Sequence, residues 1–218
     1  MNADTTLYFV RHAESQANAE GRFAGQQDSP LTERGRRQAE EVAEFLKDVA
    51  FDRVISSDLR RARDTAAAIA RRHGLRVEAM PDLREIDVGE ASGRLFEDAR
   101  QRPDWTPDGF VQWPGGESLD QAYGRARSAL ERIVRETPGA TVCIVGHGGI
   151  MRILVSHFLG LLPRLYRHPT PKRNTDLTIV RTDGSAYRIE ALFDDAHLSR
   201  PPSPEERATD ASAKPEGG

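Results

Sequence analysis

The chain is poor in cysteine, in long apolar runs and in excess charge of either sign. A single cysteine among 218 residues, Cys143, leaves no partner for an internal disulfide. Its neighbours Thr141-Val142 and Ile144-Val145 mark it as a small core residue of a buried strand. No apolar stretch approaches the roughly 20 residues that cross a bilayer. No basic segment followed by an apolar one opens the chain, so a cytoplasmic location and no membrane partner are expected. Lys and Arg number 31 against 34 Asp and Glu, and the resulting net charge of −3 gives no electrostatic pull toward nucleic acid. What remains is a globular chain long enough for a substantial core in one domain.

Apolar periodicity alternates between strand and helix. Residues 5–10 read as a strand and residues 15–30 as a polar loop. Thr32 caps a predicted helix to about Lys47, with Ala39, Val42, Ala43 and Leu46 inward. A strand over 53–56 leads to a helix through Arg71, with Ser57 or Asp58 as its cap. Residues 76–79 form a predicted edge strand, the place where two copies would pair into a homodimer. A loop over 80–93, a short helix over 94–101 and a surface loop over 103–116 follow. Ser118 caps a helix to about Glu136, residues 141–145 are a central strand, and Ile150–Leu159 is a helix. Strands over 176–182 and 186–192 flank the hairpin turn Asp183-Gly184. Beyond about Arg200 the composition cannot offset its ordering entropy, which predicts a disordered tail over 199–218 after a single domain over 1–198. The expected fold is α/β: a three-layer α/β/α sandwich whose mostly parallel sheet is made mixed by the hairpin.

Two of the apolar runs stop at a histidine: Val10-Arg11-His12 and Val145-Gly146-His147. One such histidine is ordinarily structural, but two placed alike at strand C-termini sit where open α/β sheets build their sites. Gly146, Gly148 and Gly149 add backbone that a ligand can approach closely. The strand over 53–56 runs into Asp58-Leu59-Arg60-Arg61. Arginine in a first helical turn opposes the helix dipole, so its charge serves something else or is solvated. Arg61, beside the inward Ala62, is placed to lean over the strand end, and Arg60 to face solvent. Two imidazoles, two guanidiniums and main-chain amides suit a phosphoryl group. A neutral imidazole can attack phosphorus, and the leaving alcohol then needs an acid, for which Glu85 is the candidate and Asp87 the competitor. Two histidines could also mark a metal centre, but adjacent arginines would repel a divalent cation.

Val10-Arg11-His12-Ala13-Glu14-Ser15 with Asn18 resembles the signature of the histidine phosphatase superfamily, the phosphoglycerate-mutase-like proteins. The stretches Leu31–Gly35, Ser57–Ala66, Leu83–Glu90, Gly115–Ser118 and Val145–Gly149 resemble the family's later blocks, in its order. The resemblance implies His12 as the nucleophile that becomes phosphohistidine, with Arg11, Arg61 and His147 holding the phosphoryl oxygens. It also implies Asn18 as a further donor, Gly148 as part of the phosphate cradle and Glu85 as acid and base. No metal or other cofactor is implied, and the partner is a small phosphorylated metabolite or inorganic phosphate. Ala13 stands for the commoner Gly and asks for a non-glycine backbone. Asp176, where relatives carry a small or hydroxyl residue, is expected to face away from the anion. Ala91-Ser92, for a frequent Trp-Glu pair, is expected to open that side of the pocket.

The family holds phosphatases and mutases. Cofactor-dependent mutases resemble one another in a Trp before the Asn, a Gly-Leu-Asn-Lys stretch and a long insertion. Here Ala17 precedes Asn18, Ser92-Gly93-Arg94-Leu95 follows the acid loop, and Gly115 comes soon after. A phosphatase is therefore expected, with phosphoglycerate mutase as the alternative and a non-catalytic phosphate-binding module as a minor one. A dinucleotide site at Gly146–Gly149 lacks the Gly-x-Gly-x-x-Gly spacing. Residues 94–114 should cap the pocket, with Phe96, Trp105, Phe110 and Trp113 either packing that segment or lining the leaving-group side. Of the other histidines, His73 reads as a cation at a helix end, His157 as packing, and His168 and His197 as solvated.

Overall fold

In a computed structural model, residues 4–103, 113–161 and 173–199 are described. Six strands form one sheet: β1 (Thr5–Arg11), β2 (Arg53–Ser56), β3 (Val77–Ala79), β4 (Thr141–Gly146), β5 (Leu177–Thr182) and β6 (Tyr187–Asp194). Their spatial order is β3-β2-β4-β1-β5-β6. β1, β2, β3 and β4 run parallel, while β5 and β6 return antiparallel at one side. The helices are α1 (Gln16–Ala19), α2 (Glu33–Phe45), α3 (Arg60–Arg72), α4 (Phe96–Arg100), α5 (Leu119–Glu136) and α6 (Gly148–Phe158). Among the described residues no helix is long and apolar enough to cross a membrane.

The period of two along each strand sends alternate side chains to opposite faces, and each face has its own helix layer. Leu7, Phe9, Ile55, Val142, Ile144 and Val180 pack with α5 and α6. Val10, Val54, Cys143, Val145 and Leu177 pack with α2 and α3. The result is the expected three-layer sandwich with a mixed sheet.

Capping follows local chemistry in two helices. Thr32 Oγ1 accepts from Gly35 N at 2.9 Å, and Ser118 and Gln121 form a capping box on α5. Helix α3 departs from expectation. Its N-cap is Leu59 and neither Ser57 nor Asp58 caps it. Instead Asp28 reaches across the fold and accepts from Arg60 N at 2.9 Å, supplying a carboxylate to a helix start crowded with arginine. Asp58 is taken by Arg84, whose Nε donates to it at 2.7 Å. Residues 15–30 are not all loop, because Ser15 and Asn18 close a capping box around α1.

His73 stands at the end of α3 as expected, as its C-cap. It packs edge-on against Phe51, 5.0 Å between centroids, and burial draws its pKa down. His197 is buried, not solvated; its Nε2 lies 3.0 Å from Thr175 Oγ1. His157 packs as expected, against Tyr187 and with Nδ1 3.1 Å from the Tyr123 hydroxyl. Trp105, Phe110, His168 and the expected tail fall outside the described residues.

Candidate active site

The parallel ladder between β1 and β4 ends with Arg11 opposite Gly146. The next residue of each strand is thereby delivered to the same place above the sheet. Those residues are His12 and His147, with ring centroids 5.1 Å apart and planes at 57°. Both rings are buried.

His12 Nδ1 lies 2.7 Å from the Ala13 carbonyl oxygen. A carbonyl only accepts, so Nδ1 carries the proton and the neutral ring keeps its lone pair on Nε2. Burial, then the charges of Arg61 and Arg11, hold the His12 pKa well below the ordinary histidine value, against the opposing carbonyl bond. Burial and the two guanidiniums thus favour the neutral ring. His147 is held neutral by the same burial, then by Arg61, His12, Arg11 and Arg125. Its Nε2 lies 2.8 Å from Ser57 Oγ, while its buried Nδ1 has no hydrogen-bond partner among the described residues.

Arg61 is 2% exposed. Its guanidinium donates to the carbonyls of Gln27 at 2.9 Å and Gly25 at 2.8 Å. Gly25 has φ +50°, a left-handed conformation glycine adopts without strain. Burial lowers the Arg61 pKa, Glu85 and Asp28 raise it, and Arg11 lowers it. For Arg11, burial lowers the value, and Asp176 and Glu85 raise it. Asp176 thus does not stand apart: it is buried at the start of β5 and its charge offsets that of Arg11. Gly148 borders Arg11, since a Cβ there would come 3.5 Å from Arg11 Nε.

Glu85 enters from the loop after β3. Its Oε1 accepts from Ile86 N at 2.9 Å and Ile150 N at 3.2 Å, and Oε2 accepts from Gly149 N at 3.0 Å. The carboxyl group thereby rests on the first-turn amides of α6. Its charge acts on both site arginines. Asp87 is spent elsewhere, accepting from Gly89 N at 2.9 Å to hold its own turn.

The order of the motifs, the two facing imidazoles and the flanking guanidiniums agree with a match over residues 7–195 to the family model of the histidine phosphatase superfamily (branch 1). The chain belongs to the histidine phosphatase superfamily. Among its relatives is the protein of Cronobacter sakazakii named probable phosphoglycerate mutase GpmB, 38% identical over 89% of this chain and 95% of the relative. Among solved structures it is similar to Bacillus stearothermophilus YhfR, with TM-score 0.81 and 31% identity over 89% of this chain and 99% of the other. A mycobacterial glucosyl-3-phosphoglycerate phosphatase gives TM-score 0.78 and 29% identity over 88% of this chain and 100% of the other.

As a member of that superfamily the chain shows further supports that no motif announced. Asn18 Oδ1 is turned to Ser15 N at 3.2 Å, Ser15 Oγ at 3.1 Å and Asn174 Nδ2 at 3.2 Å. Asn174 also donates to the His12 carbonyl at 2.9 Å. The following Thr175 has φ +66°, unusual for a β-branched residue, and is held there by Oγ1 donating to the Asn174 carbonyl at 2.7 Å. An Asn-Thr pair before an acidic residue is too common a string to have singled out Asn174. Ala13 adopts no positive φ, as its side chain requires, and its amide donates to Thr65 Oγ1 at 3.0 Å. Ala91 and Trp113 are buried together with Val88 and against Phe23, and Phe96 also packs on Phe23. These aromatics therefore pack the segment, and the space beside Ala91 is filled.

Proposed function

We propose that this protein is a metal-independent phosphomonoesterase that hydrolyses a small phosphorylated metabolite through a phosphohistidine intermediate on His12. The observation that carries it is the His12 ring with Nδ1 tied to the Ala13 carbonyl at 2.7 Å, which leaves the Nε2 lone pair free, and with the His147 ring 5.1 Å away between centroids. Nε2 attacks phosphorus, the ester P–O bond breaks as the N–P bond forms, and protonated Glu85 gives its proton to the departing alkoxide. The Glu85 carboxylate then takes a proton from water as its oxygen attacks phosphorus; the N–P bond breaks and phosphate leaves. Arg11, Arg61, the Asn18 amide, Gly148 and His147 hold the phosphoryl oxygens. The fixed charge of the two guanidiniums, with the dipoles of the other donors, does what a divalent cation does in other phosphoryl-transfer sites.

A second reading, phosphoglycerate mutase, is favoured by the name of the 38% identical relative. Ala17 before Asn18 and Ser92-Gly93-Arg94-Leu95 after the acid loop support the phosphatase instead. Incubation with a panel of phosphomonoesters, with phosphate release and phosphoglycerate isomerisation followed in parallel, separates them. Phosphate release without isomerisation is expected. Isomerisation without release establishes the mutase, and neither reaction points to a binding module.

A further inference from the structure

The loop that carries Glu85 has no regular structure from residue 84 to 88. Its position must come from side chains that reach in. We propose that Arg125 of α5, with Glu117, is the positioning pair for Glu85. The inference rests on Glu85 being the proton donor.

The Arg125 fork bonds three backbone carbonyls in and just before the loop. Nη1 donates to the Asp82 carbonyl and to the Arg84 carbonyl, each at 2.8 Å. Nη2 donates to the Glu85 carbonyl at 3.3 Å and to Glu117 Oε2 at 2.8 Å, and Nε donates to Glu117 Oε1 at 2.8 Å. Glu117 holds the far side: its Oε2 accepts from Asp87 N at 3.0 Å, and its own amide donates to the Asp87 carbonyl at 2.9 Å. Gln26 adds a bond to the Glu85 carbonyl at 3.2 Å. The main chain is therefore tied on both sides of Glu85, by a bidentate ion pair whose side chains are each 18% exposed. The burden on that pair shows in Glu117, whose carboxyl is held below the ordinary range by Arg125 and the Asp87 amide despite burial. Gly116 allows the close approach, because a Cβ there would run into the Asp87 carbonyl.

This geometry requires a planar fork. Lysine keeps the charge but has a single nitrogen, and it cannot span three carbonyls and a carboxylate. The site needs Glu85 placed to within about an ångström of the leaving oxygen. Arg125 bonds to the loop and to Glu117, and not to His12 or His147; its charge also reaches His147, but Arg125→Lys keeps that charge and loses only the fork.

The test is the dependence of kcat/KM on leaving-group basicity. An acidic phenol such as p-nitrophenol leaves without help, whereas an alkyl alcohol needs the proton. Glu85→Gln serves as the reference and should lose far more activity on glycerol phosphate than on p-nitrophenyl phosphate. Arg125→Lys should reproduce that graded pattern, with a loss of about 100-fold on the alkyl ester and under about tenfold on the aryl ester. Inhibition by inorganic phosphate should stay within about threefold of the parent, since the anion cradle is intact. Glu117→Gln, which keeps side-chain volume and the three carbonyl acceptors of Arg125, gives a second variant with the same signature. Equal loss on both esters, or full activity in Arg125→Lys, overturns the positioning role. A reference variant without grading overturns the assignment of Glu85 itself.

Discussion

Replacing Gly149 by alanine separates the seating of Glu85 from the stability of the fold. A Cβ at Gly149 would come 2.5 Å from Glu85 Oε1, 3.0 Å from Ile86 Cδ1 and 3.2 Å from Glu85 Cδ. The first atom is the end of a flexible, half-buried side chain, so the carboxylate gives way and the backbone does not. Oε1 must retreat by roughly an ångström to reach ordinary contact, the scale on which misplacement costs about 100-fold in rate. The carboxylate also abandons the amides of Gly149, which donates to Oε2 at 3.0 Å, and Ile150, which donates to Oε1 at 3.2 Å. Folding feels little of this. Gly149 has no positive φ and lies inside α6. Alanine's helix propensity returns up to about 1 kcal/mol, against about 1.5–3 kcal/mol for each charged hydrogen bond lost, much of it recovered from water at a half-buried carboxylate. The expected variant unfolds at nearly the parent's urea midpoint and loses about 100-fold in kcat on an alkyl phosphate. Parental kcat in a folded variant would refute the claim that the α6 amides seat Glu85.

Three further perturbations follow from the same packing. Thr65→Val keeps the shape but leaves the buried Ala13 amide without its 3.0 Å acceptor; urea unfolding should show a loss of about 1–3 kcal/mol. Gly35→Ala would drive a Cβ into the Glu14 carbonyl, which is backbone and cannot step aside; about 3 kcal/mol of destabilisation is expected in the same assay. His12 and His147 are held neutral in the fold but bind protons in the unfolded chain below about pH 6.5. The unfolded state then holds more protons, so stability is level above that pH and falls below it, with a limiting slope of about 1.4 kcal/mol per pH unit for each ring. His12→Gln should make urea midpoints between about pH 6.5 and 5 less steep.

The site's frame was legible because it is written in periodicity. Val10-Arg11-His12 and Val145-Gly146-His147 each show an apolar run ending at a chemical residue, and the ladder's last pair, Arg11 opposite Gly146, converts that parallel into contact. Thr32 and Ser118 were legible because a cap bonds three residues ahead. What escaped depends on partners distant in the chain. Asp28 caps α3 in place of Ser57 or Asp58 because a folded loop brings it there. Asn174, Arg125 and Glu117 act on backbone carbonyls and amides, and backbone carries no residue-specific pattern for a sequence to display. His197 reads as solvated because its polar neighbours Asp194 and Asp195 hide a ring that packs against Phe45 and Thr175. Asp87 and Glu85 were equal as strings, and they separate only when Gly89 takes one carboxylate and α6 the other.

The phosphoryl acceptor can be identified directly by quenching a steady-state reaction with labelled phosphomonoester and following the protein-bound label at low and high pH. A phosphoramidate on His12 Nε2 should be lost in acid, persist in base and be absent from His12→Ala, which should also have no turnover. Label that survives acid, or ester cleavage at the parental rate in His12→Ala, would contradict it.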